Sequence, residues 1–388
     1  MELLLAAWLL ICGNASGTPD DVPLEQLLQA AVDSARPAAA AQAGTPPGGA
    51  YSKTDPQQDA PLVKGVYATA HSAGGARLQT LLQLIDETEL NSLVIDIKDD
   101  YGYITYPTGN EQLEAMDTTK KIISDMPGLI AKLNDHHIYP IARVVVFKDT
   151  VLANRQPELS FKNPDGTVWT NGKNPGDSFV NPYRKEVWDY NIAVAKEAAK
   201  AGFKEIQFDY VRFPEGFEKR ADELTYTKDE RTRIDAVADF VRYAREQLAP
   251  YGVRVSVDIF GYAASVPAAE GIGQDFEKIS KYVDVISPMI YPSHYSTGWY
   301  GSKVPDAAPY VTINGAMIDT NKKLEPLAEL KPVVRPWIQD FTASWVKGYI
   351  RYGKRELEEQ IRALNDNGVH EYLLWNAGNT YTPGVDYR

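Results

Sequence analysis

Two periodicities alternate along the chain from residue 62 onward. Runs of five to nine residues rich in Val, Ile, Tyr and Phe are separated by longer segments in which apolar positions recur every three or four residues. That alternation predicts strands followed by helices, the pattern of a parallel sheet built from βα units. Strands are predicted over Val63–Thr69, Ser92–Lys98, Tyr139–Phe147, Glu205–Val211, Arg254–Phe260, Val283–Tyr291, Val333–Gln339 and Tyr372–Asn376. Helices are predicted over Ala76–Glu89, Thr119–Asn134, Pro182–Ala201, Arg231–Ala249, Thr320–Leu330 and Lys354–Asn367, with Asn181-Pro182 opening one and Asn367-Gly368 closing another. Eight strands close a barrel, and no Gly-rich phosphate loop marks an open doubly wound sheet. The expected fold class is therefore α/β, a parallel (β/α)8 TIM barrel. Little chain follows the eighth strand, so the last helix is expected to be missing, or replaced by an N-terminal helix over Leu24–Val32.

Upstream of residue 62 the pattern changes. Leu3 to Ile11 read LLLAAWLLI, too short for a mature membrane span but of signal-peptide length, and small residues follow at Gly13, Ala15, Ser16 and Gly17. The flank before it offers Glu2 and no Lys or Arg. Leu9-Leu10-Ile11-Cys12 resembles a lipobox, although Ile11 stands where that motif carries a small residue. The expected organisation is a signal peptide or lipoprotein signal over 1–17, a helix plus an Ala/Pro/Gly-rich linker over 18–61, disordered or helical, and the barrel over 62–388. An exported protein is expected, extracellular or on the cell envelope, with Cys12 as the residue a lipid would modify. Membrane attachment is expected only through this N-terminus.

Strands covered by helices outside and packed side chains inside should be apolar on both faces. Several are not. In EIQFDYVRF, Ile206, Phe208 and Tyr210 share one parity and Gln207 and Asp209 the other; RVSVDIF sets Ser256 and Asp258 against Val255, Val257 and Ile259. LVIDIKDD does the same with Asp96 and Lys98, and VRPWIQ places Arg335 and Gln339 together. The apolar parity packs under the helices, which leaves the polar set pointing into the barrel. These positions come late in their strands, so they fall at the C-terminal mouth, where barrel enzymes carry their chemistry. Taken singly, each is explained as well by a structural ion pair: Asp209 with Arg212, Asp96 with Lys98, Asp258 with Arg143. Four polar strands together favour a site.

The fourth and fifth strands are neighbours about 4.8 Å apart, which brings Asp209 and Asp258 together if their registers match. Two carboxylates that close push their pKa values apart, so one stays ionised while the other holds a proton. Glycoside hydrolysis uses such a pair, with a separation of about 5–5.5 Å for retention of configuration and about 6.5–9.5 Å for inversion. Adjacent strands favour retention. The loops agree with a sugar substrate: YPSHYSTGWYG offers Tyr291, His294, Tyr295, Trp299 and Tyr300, and LLWNAGNTY offers Trp375, Asn376 and Tyr381. The alternative is that these rings only pack the loops onto the barrel.

Composition narrows the classes further. A net charge of -12 repels a phosphate backbone, so no nucleic acid partner is expected. The single cysteine, Cys12, excludes a disulfide framework, a thiolate metal site and a Cys nucleophile in the folded part. No two histidines have metal-ligand helical spacing, and neither metal nor cofactor is expected. The acidic run Asp96, Asp99, Asp100 leaves a metal-dependent hydrolase as a weaker alternative.

The runs GVYATAHSAG, NSLVIDIKDDYG, FVNPYRKEVWDYNIAVAKEAAKAGFKEIQFDYVRFPEG, VSVDIFGY and ISPMIYPSHY resemble the bacterial family described as "Putative glycosyl hydrolase domain". Phe208 to Pro214, FDYVRFP, is the most specific stretch, and the resemblance extends over about Leu62 to Tyr381. It implies a TIM-barrel glycosidase distantly similar to α-amylases, in which an Asp ending the fourth strand is the nucleophile and the fifth strand supplies the acid. By position, Asp209 takes the first role and Asp258 the second. Amylase-type enzymes carry Glu at the latter place, so Glu215 is held in reserve. The function read from these residues is hydrolysis of O-glycosidic bonds in a polysaccharide or oligosaccharide. Arg212 is the expected charge partner of Asp209, and Asp96, Lys98, Tyr291, His294, Trp337, Gln339, Trp375 and Asn376 are expected to line the sugar site. A non-catalytic carbohydrate-binding barrel of the cell envelope is the rival reading.

Overall fold

The computed structural model describes residues 60–172 and 176–388. The leader over 1–17, Cys12, the helix over Leu24–Val32 and all but the end of the expected linker lie outside the described residues. Among the described residues, eight strands form the main sheet: β1 (Lys64–Ala68), β2 (Ser92–Lys98), β3 (Tyr139–Val145), β4 (Glu205–Asp209), β5 (Arg254–Phe260), β6 (Val285–Met289), β7 (Val333–Val334, resuming as Trp337–Gln339) and β8 (Tyr372–Trp375). Each pairs in parallel with its neighbours in chain order, and β8 closes onto β1 through Lys64↔Tyr372, Gly65↔Leu373 and Val66↔Leu374. The cylinder is a closed (β/α)8 TIM barrel, as the strand count predicted. Gly65 lets the seam close: a Cβ there would meet Leu373 at 2.8 Å and Ser92 at 3.1 Å. The proline in Arg335-Pro336 has no N–H for the ladder, and β7 breaks there.

The longer helices are α1 (Arg77–Asp86), α2 (Met126–Asp135), α3 (Lys185–Ala201), α4 (Arg233–Leu248), α5 (Phe276–Ser280), α6 (Pro309–Leu324) and α7 (Lys354–Asp366). α4 opens on a capping box between Thr232 and Asp235. Two expectations need correction. Asn181-Pro182 does not cap α3; Asn181 instead donates to Thr227 O and accepts from the Tyr183 N–H, and the helix starts at Lys185. The helix expected over Thr320–Leu330 lies mainly earlier, because burial of Thr312, Ile313, Ala316 and Met317 outweighs the weak helix propensity of that stretch. Gly315 on α6 leaves room for the Tyr300 ring. No helix follows β8 among the described residues. The chain runs back along the barrel instead, and Tyr387 O accepts from Tyr372 Oη (2.7 Å) and Lys64 Nζ (2.6 Å).

The apolar parity of the strands packs under the helices in one continuous core that includes Leu93, Ile95, Ile206, Phe208, Val255 and Val257. A second cluster fills the cylinder: Val63, Tyr67, Val94, Tyr139, Ile141, Tyr291, Trp337 and Leu373. The interior polar residues sort by height. Arg335 lies at the end away from the mouth, where it donates to Glu205 (2.7 and 2.9 Å), the first residue of β4, and to Glu371 (2.8 Å). Its polarity closes the barrel floor and does not belong to the mouth group.

Candidate active site

Arg143, on β3, is fully buried at the centre of the mouth. Its Nε and Nη2 donate to Asp209 Oδ2 (2.9 and 2.7 Å), Nη1 donates to Asp96 Oδ1 (2.7 Å), and Nη2 also reaches Asp100 Oδ1 (3.0 Å). Register makes this fork: Asp96 pairs with Arg143 across β2–β3, and Arg143 with Gln207 across β3–β4, two residues before Asp209. Asp209 Oδ1 accepts from the Tyr210 N–H at 2.6 Å, so both oxygens of this carboxylate are engaged. Tyr210 pays for that contact with a φ of 52°, a left-handed backbone that costs a non-glycine residue about 1–3 kcal/mol and is typical of functional sites.

Asp258 comes from β5. The pair Phe208↔Val257, carried one residue on, sets Asp209 level with Asp258. Trp337 Nε1 donates to Asp258 Oδ1 at 2.8 Å. Burial first, and then the charge of Asp209, push the Asp258 carboxyl well above the ordinary carboxylate range. Burial lifts Asp96 to about 7, against the pull of Arg143. Burial also works to raise Asp100, but Arg143 and Lys148 outweigh it and hold that carboxyl below its usual value. One guanidinium faces four carboxyl groups here, so protons are retained where desolvation is deepest. A buried acid that is protonated beside a second acid anchored by N–H donors is arranged for proton transfer.

These shifts carry a sign. A carboxyl raised in the folded chain binds its proton there while the unfolded chain has lost it, so Asp96 and Asp258 weaken the fold as pH rises through the interval between the two values. Relative to Asp96→Asn, the wild type is expected to lose unfolding free energy in urea from pH 4 to pH 7, the interval set by Asp96; the comparison separates this carboxyl from His294, whose lowered value acts in the opposite sense over the same interval. A wild type that gains on Asp96→Asn over this interval would refute the assignment.

Aromatic rings wall the carboxylates. Tyr67 Oη donates to Asp96 Oδ2 at 2.5 Å, Trp375 stacks on Tyr67 at 4.3 Å, and Trp337 meets both rings edge-on at 6.5 and 5.5 Å. Tyr291 is buried, its hydroxyl held protonated by burial and by the charges of Asp258 and Asp209, and it makes edge contacts with His294 (5.2 Å) and Phe341 (5.9 Å). Burial drops the His294 imidazole to about 4, so the ring is neutral near pH 7, with Nδ1 2.9 Å from Ser293 Oγ.

The structure thus brings Asp209, Asp258, Asp96, Tyr291, His294, Trp337 and Trp375 to one mouth. Other expected residues lie elsewhere. A register shift between Asp96 and Lys98 turns Lys98 out of the barrel, into a buried pair with Asp149 (2.6 Å) and hydrogen bonds to Val145 O (2.7 Å) and Asn191 (3.1 Å). Arg212 bonds Glu215 (3.2 Å) and Phe213 O (3.1 Å); the cation on Asp209 is Arg143. All three structural pairs expected from sequence are therefore exchanged for others. Gln339 is fully buried and saturated: Nε2 donates to Asp306 (3.0 Å) and Phe341 O (3.1 Å), and Oε1 accepts from the Ser293 N–H (3.1 Å). Asn376 ties its own loop to Asp340 O (2.5 Å) and Thr380 O (2.7 Å). Tyr381 clamps the Tyr67 backbone, while Tyr295, Trp299 and Tyr300 pack on one another. Asp99 turns into its own loop, accepting from the N–H groups of Tyr101, Gly102 and Tyr103, and no metal-holding group of His, Cys, Asp or Glu gathers among the described residues.

Sequence reasoning left out Tyr67, named Asp100 only for the metal-dependent alternative, and gave Arg143 to the wrong carboxylate. Arg143 was visible as the one cation at interior parity in YPIARVV, between Ile141 and Val145.

Fold and site define a closed (β/α)8 barrel whose ionisable groups converge at the C-terminal mouth. The chain belongs to the family described as "Putative glycosyl hydrolase domain", whose model matches residues 65–381. No curated protein matches it. Among solved structures, a hypothetical protein from Ruminiclostridium thermocellum ATCC 27405 is 36% identical, with a TM-score of 0.45 over 50% of this chain and 96% of that one. The PgaB (BpsB) glycoside hydrolase domain from Bordetella bronchiseptica is 14% identical, with a TM-score of 0.55 over 82% of this chain and 95% of that one. An α-amylase from Lactobacillus plantarum is 12% identical, with a TM-score of 0.47 over 82% and 71%. The likeness to the Bordetella domain is one of fold.

Proposed function

We propose that the protein is a retaining glycoside hydrolase acting on O-glycosidic bonds of a polysaccharide or oligosaccharide. The observation that carries this reading is the pairing of Asp258, buried and raised, with Asp209, whose oxygens accept from Arg143 and the Tyr210 N–H. Asp258 gives its proton to the leaving oxygen as the glycosidic C–O bond breaks, and an Asp209 oxygen bonds to the anomeric carbon. Water then attacks that carbon and gives a proton to Asp258, which releases the sugar and restores both groups. Arg143 lies outside this exchange and orients Asp209. Neighbouring strands about 4.8 Å apart favour the short carboxyl separation of retaining enzymes. Trp375, half-buried, offers a ring on which a sugar face packs, with the buried Tyr291 and Trp337 behind it.

The test has two readouts. Proton NMR of fresh digests of cello-, chito- and malto-oligosaccharides is expected to show the released anomer with the configuration of the bond cleaved. A 2-deoxy-2-fluoro glycoside of the cleaved sugar is expected to leave a covalent adduct on the peptide that contains Asp209. An inverted product, or an adduct on Glu215, would replace the assignment.

A further inference from the structure

Among the described residues, the exposed large apolar side chains divide by place. Tyr101, Tyr262, Trp345 and Tyr349 all lie in loops that leave the C-terminal ends of strands, whereas the aliphatic ones, Leu62, Val311 and Ile318, lie before β1 or on α6. Aromatic exposure is confined to the mouth side. The loop after β7 carries the most exposed ring: Trp345 is 53% exposed and stacks on Phe341 at 5.9 Å, with the planes 18° apart. Phe341 packs against the barrel-filling cluster and touches Tyr291, also at 5.9 Å; the same cluster includes Trp337, whose Nε1 donates to Asp258. A continuous row of rings thus runs from the acid outward to solvent, and two such steps exceed the length of one pyranose ring. The platform is held from behind, since Asp306 accepts from both Gln339 and the Ile350 N–H, and Gln339 donates to Phe341 O.

A second platform stands on the loop after β2. Asp99 folds the loop after β2 so that Tyr101 stacks on Tyr103 at 5.6 Å, and Lys120 lies over Tyr103, which leaves Tyr101 as the exposed ring. Its neighbour Asp100 is the carboxylate that reaches Arg143 at 3.0 Å, so this loop borders the same site. Around the barrel, β2 is two staves from β4 in one direction and β7 two staves from β5 in the other, while β2 and β7 are three staves apart through β1 and β8. The strands of Asp209 and Asp258 are therefore flanked, at equal remove along the sheet, by the strands whose loops carry the two rings.

We propose that Trp345 and Tyr101 are sugar-stacking subsites on opposite sides of the scissile bond, so that the substrate is an extended glycan cleaved at internal linkages. This rests on the glycosidase reading above and adds the endo mode of action. An enzyme that trims chain ends needs one side of its mouth blocked; here both sides present an open aromatic face.

The experiment compares full-length wild type, Trp345→Ala, Tyr101→Ala and the control Ile318→Ala on cello-, chito- and maltohexaose and on the matching disaccharides. The kcat/KM ratio of hexaose to disaccharide is expected to fall about five- to tenfold in Trp345→Ala and in Tyr101→Ala, through KM, the worth of one aromatic contact. Ile318→Ala is expected to keep the wild-type ratio. Wild-type digestion of the matching polymer is expected to drop viscosity before reducing ends accumulate. Unchanged ratios in both platform variants, or release of single sugars from one end with viscosity preserved, overturn the proposal. Calorimetric titration of the Asp209→Asn background with the hexaoses separates this from a failure of catalysis. Tighter binding of a hexaose than of its disaccharide, lost on adding Trp345→Ala, supports the subsites even without turnover, and no length-dependent binding by any hexaose overturns them.

Discussion

Asp209→Asn is expected to lower turnover of any glycoside the wild type cleaves by about 10⁴-fold, while the chain still folds. The amide cannot form the bond to the anomeric carbon, and it removes the charge that helps hold Asp258 protonated. Some stability is lost as well. Both oxygens of Asp209 accept from N–H donors, so the NH2 of asparagine must face one of them, at a cost of about 1–3 kcal/mol. The fold survives because Arg143 keeps Asp96 and Asp100. Initial rates by reducing-sugar release, with circular dichroism melting alongside, check both parts. The same variant decides against the rival reading. If wild type and Asp209→Asn bind a glycan equally and neither cleaves it, the barrel is a carbohydrate-binding module; a wild type that cleaves and a variant that only binds makes it an enzyme.

The barrel was legible because its signal is periodic. Eight β-rich runs, most of them followed by a covering helix, survive errors of several residues at any boundary, as α3 and α6 show. The mouth was legible for a similar reason: polar residues at alternate positions in β4 and β5 have nowhere to go except the interior. Parity fails where the strand itself changes register. Lys98 follows Asp96 by two residues and should share its face, yet the irregularity between them sends Lys98 to Asp149 beneath the helices. Partnership was the least legible property. Arg212 is three residues from Asp209 in sequence, but a residue beyond the strand end is free of its alternation, and Tyr210 in a left-handed conformation turns the chain aside first. Arg143, sixty-six residues from Asp209 in sequence, meets it because β3 and β4 are adjacent staves. Gln339 shows the same limit: it has the interior parity of Trp337, but as the last residue of β7 its side-chain hydrogen bonds are taken by the segments beyond the strand ends.

Arg143→Met is the substitution with the largest expected effect on stability. The guanidinium is buried, and its fork satisfies Asp96, Asp100 and Asp209 together. Removing it leaves the buried Asp96 and Asp209 without their hydrogen-bonded cation, with Lys148 remaining near Asp100, and breaking a buried ion pair in this way costs about 3–5 kcal/mol. The loss should depend on pH. Without Arg143 the pull that lowers Asp100 and opposes the rise of Asp96 is lost, so the folded variant binds more protons than the folded wild type, and its stability deficit shrinks as pH falls. Melting temperatures of wild type and Arg143→Met should therefore converge from pH 8 toward pH 5. Arg143→Lys is expected to lie between them, because an ammonium restores the charge but has no planar fork with which to reach three carboxylates. Activity gives an independent readout. If Arg143 orients Asp209 for attack, the rate at which a 2-deoxy-2-fluoro glycoside labels Asp209 falls in Arg143→Lys while the final adduct stoichiometry stays at the wild-type level, a split that a loss of folded protein would not produce. An Arg143→Met variant as stable as wild type at pH 8, with the labelling rate of Arg143→Lys unchanged, would mean that the carboxylates are held by something other than this cation.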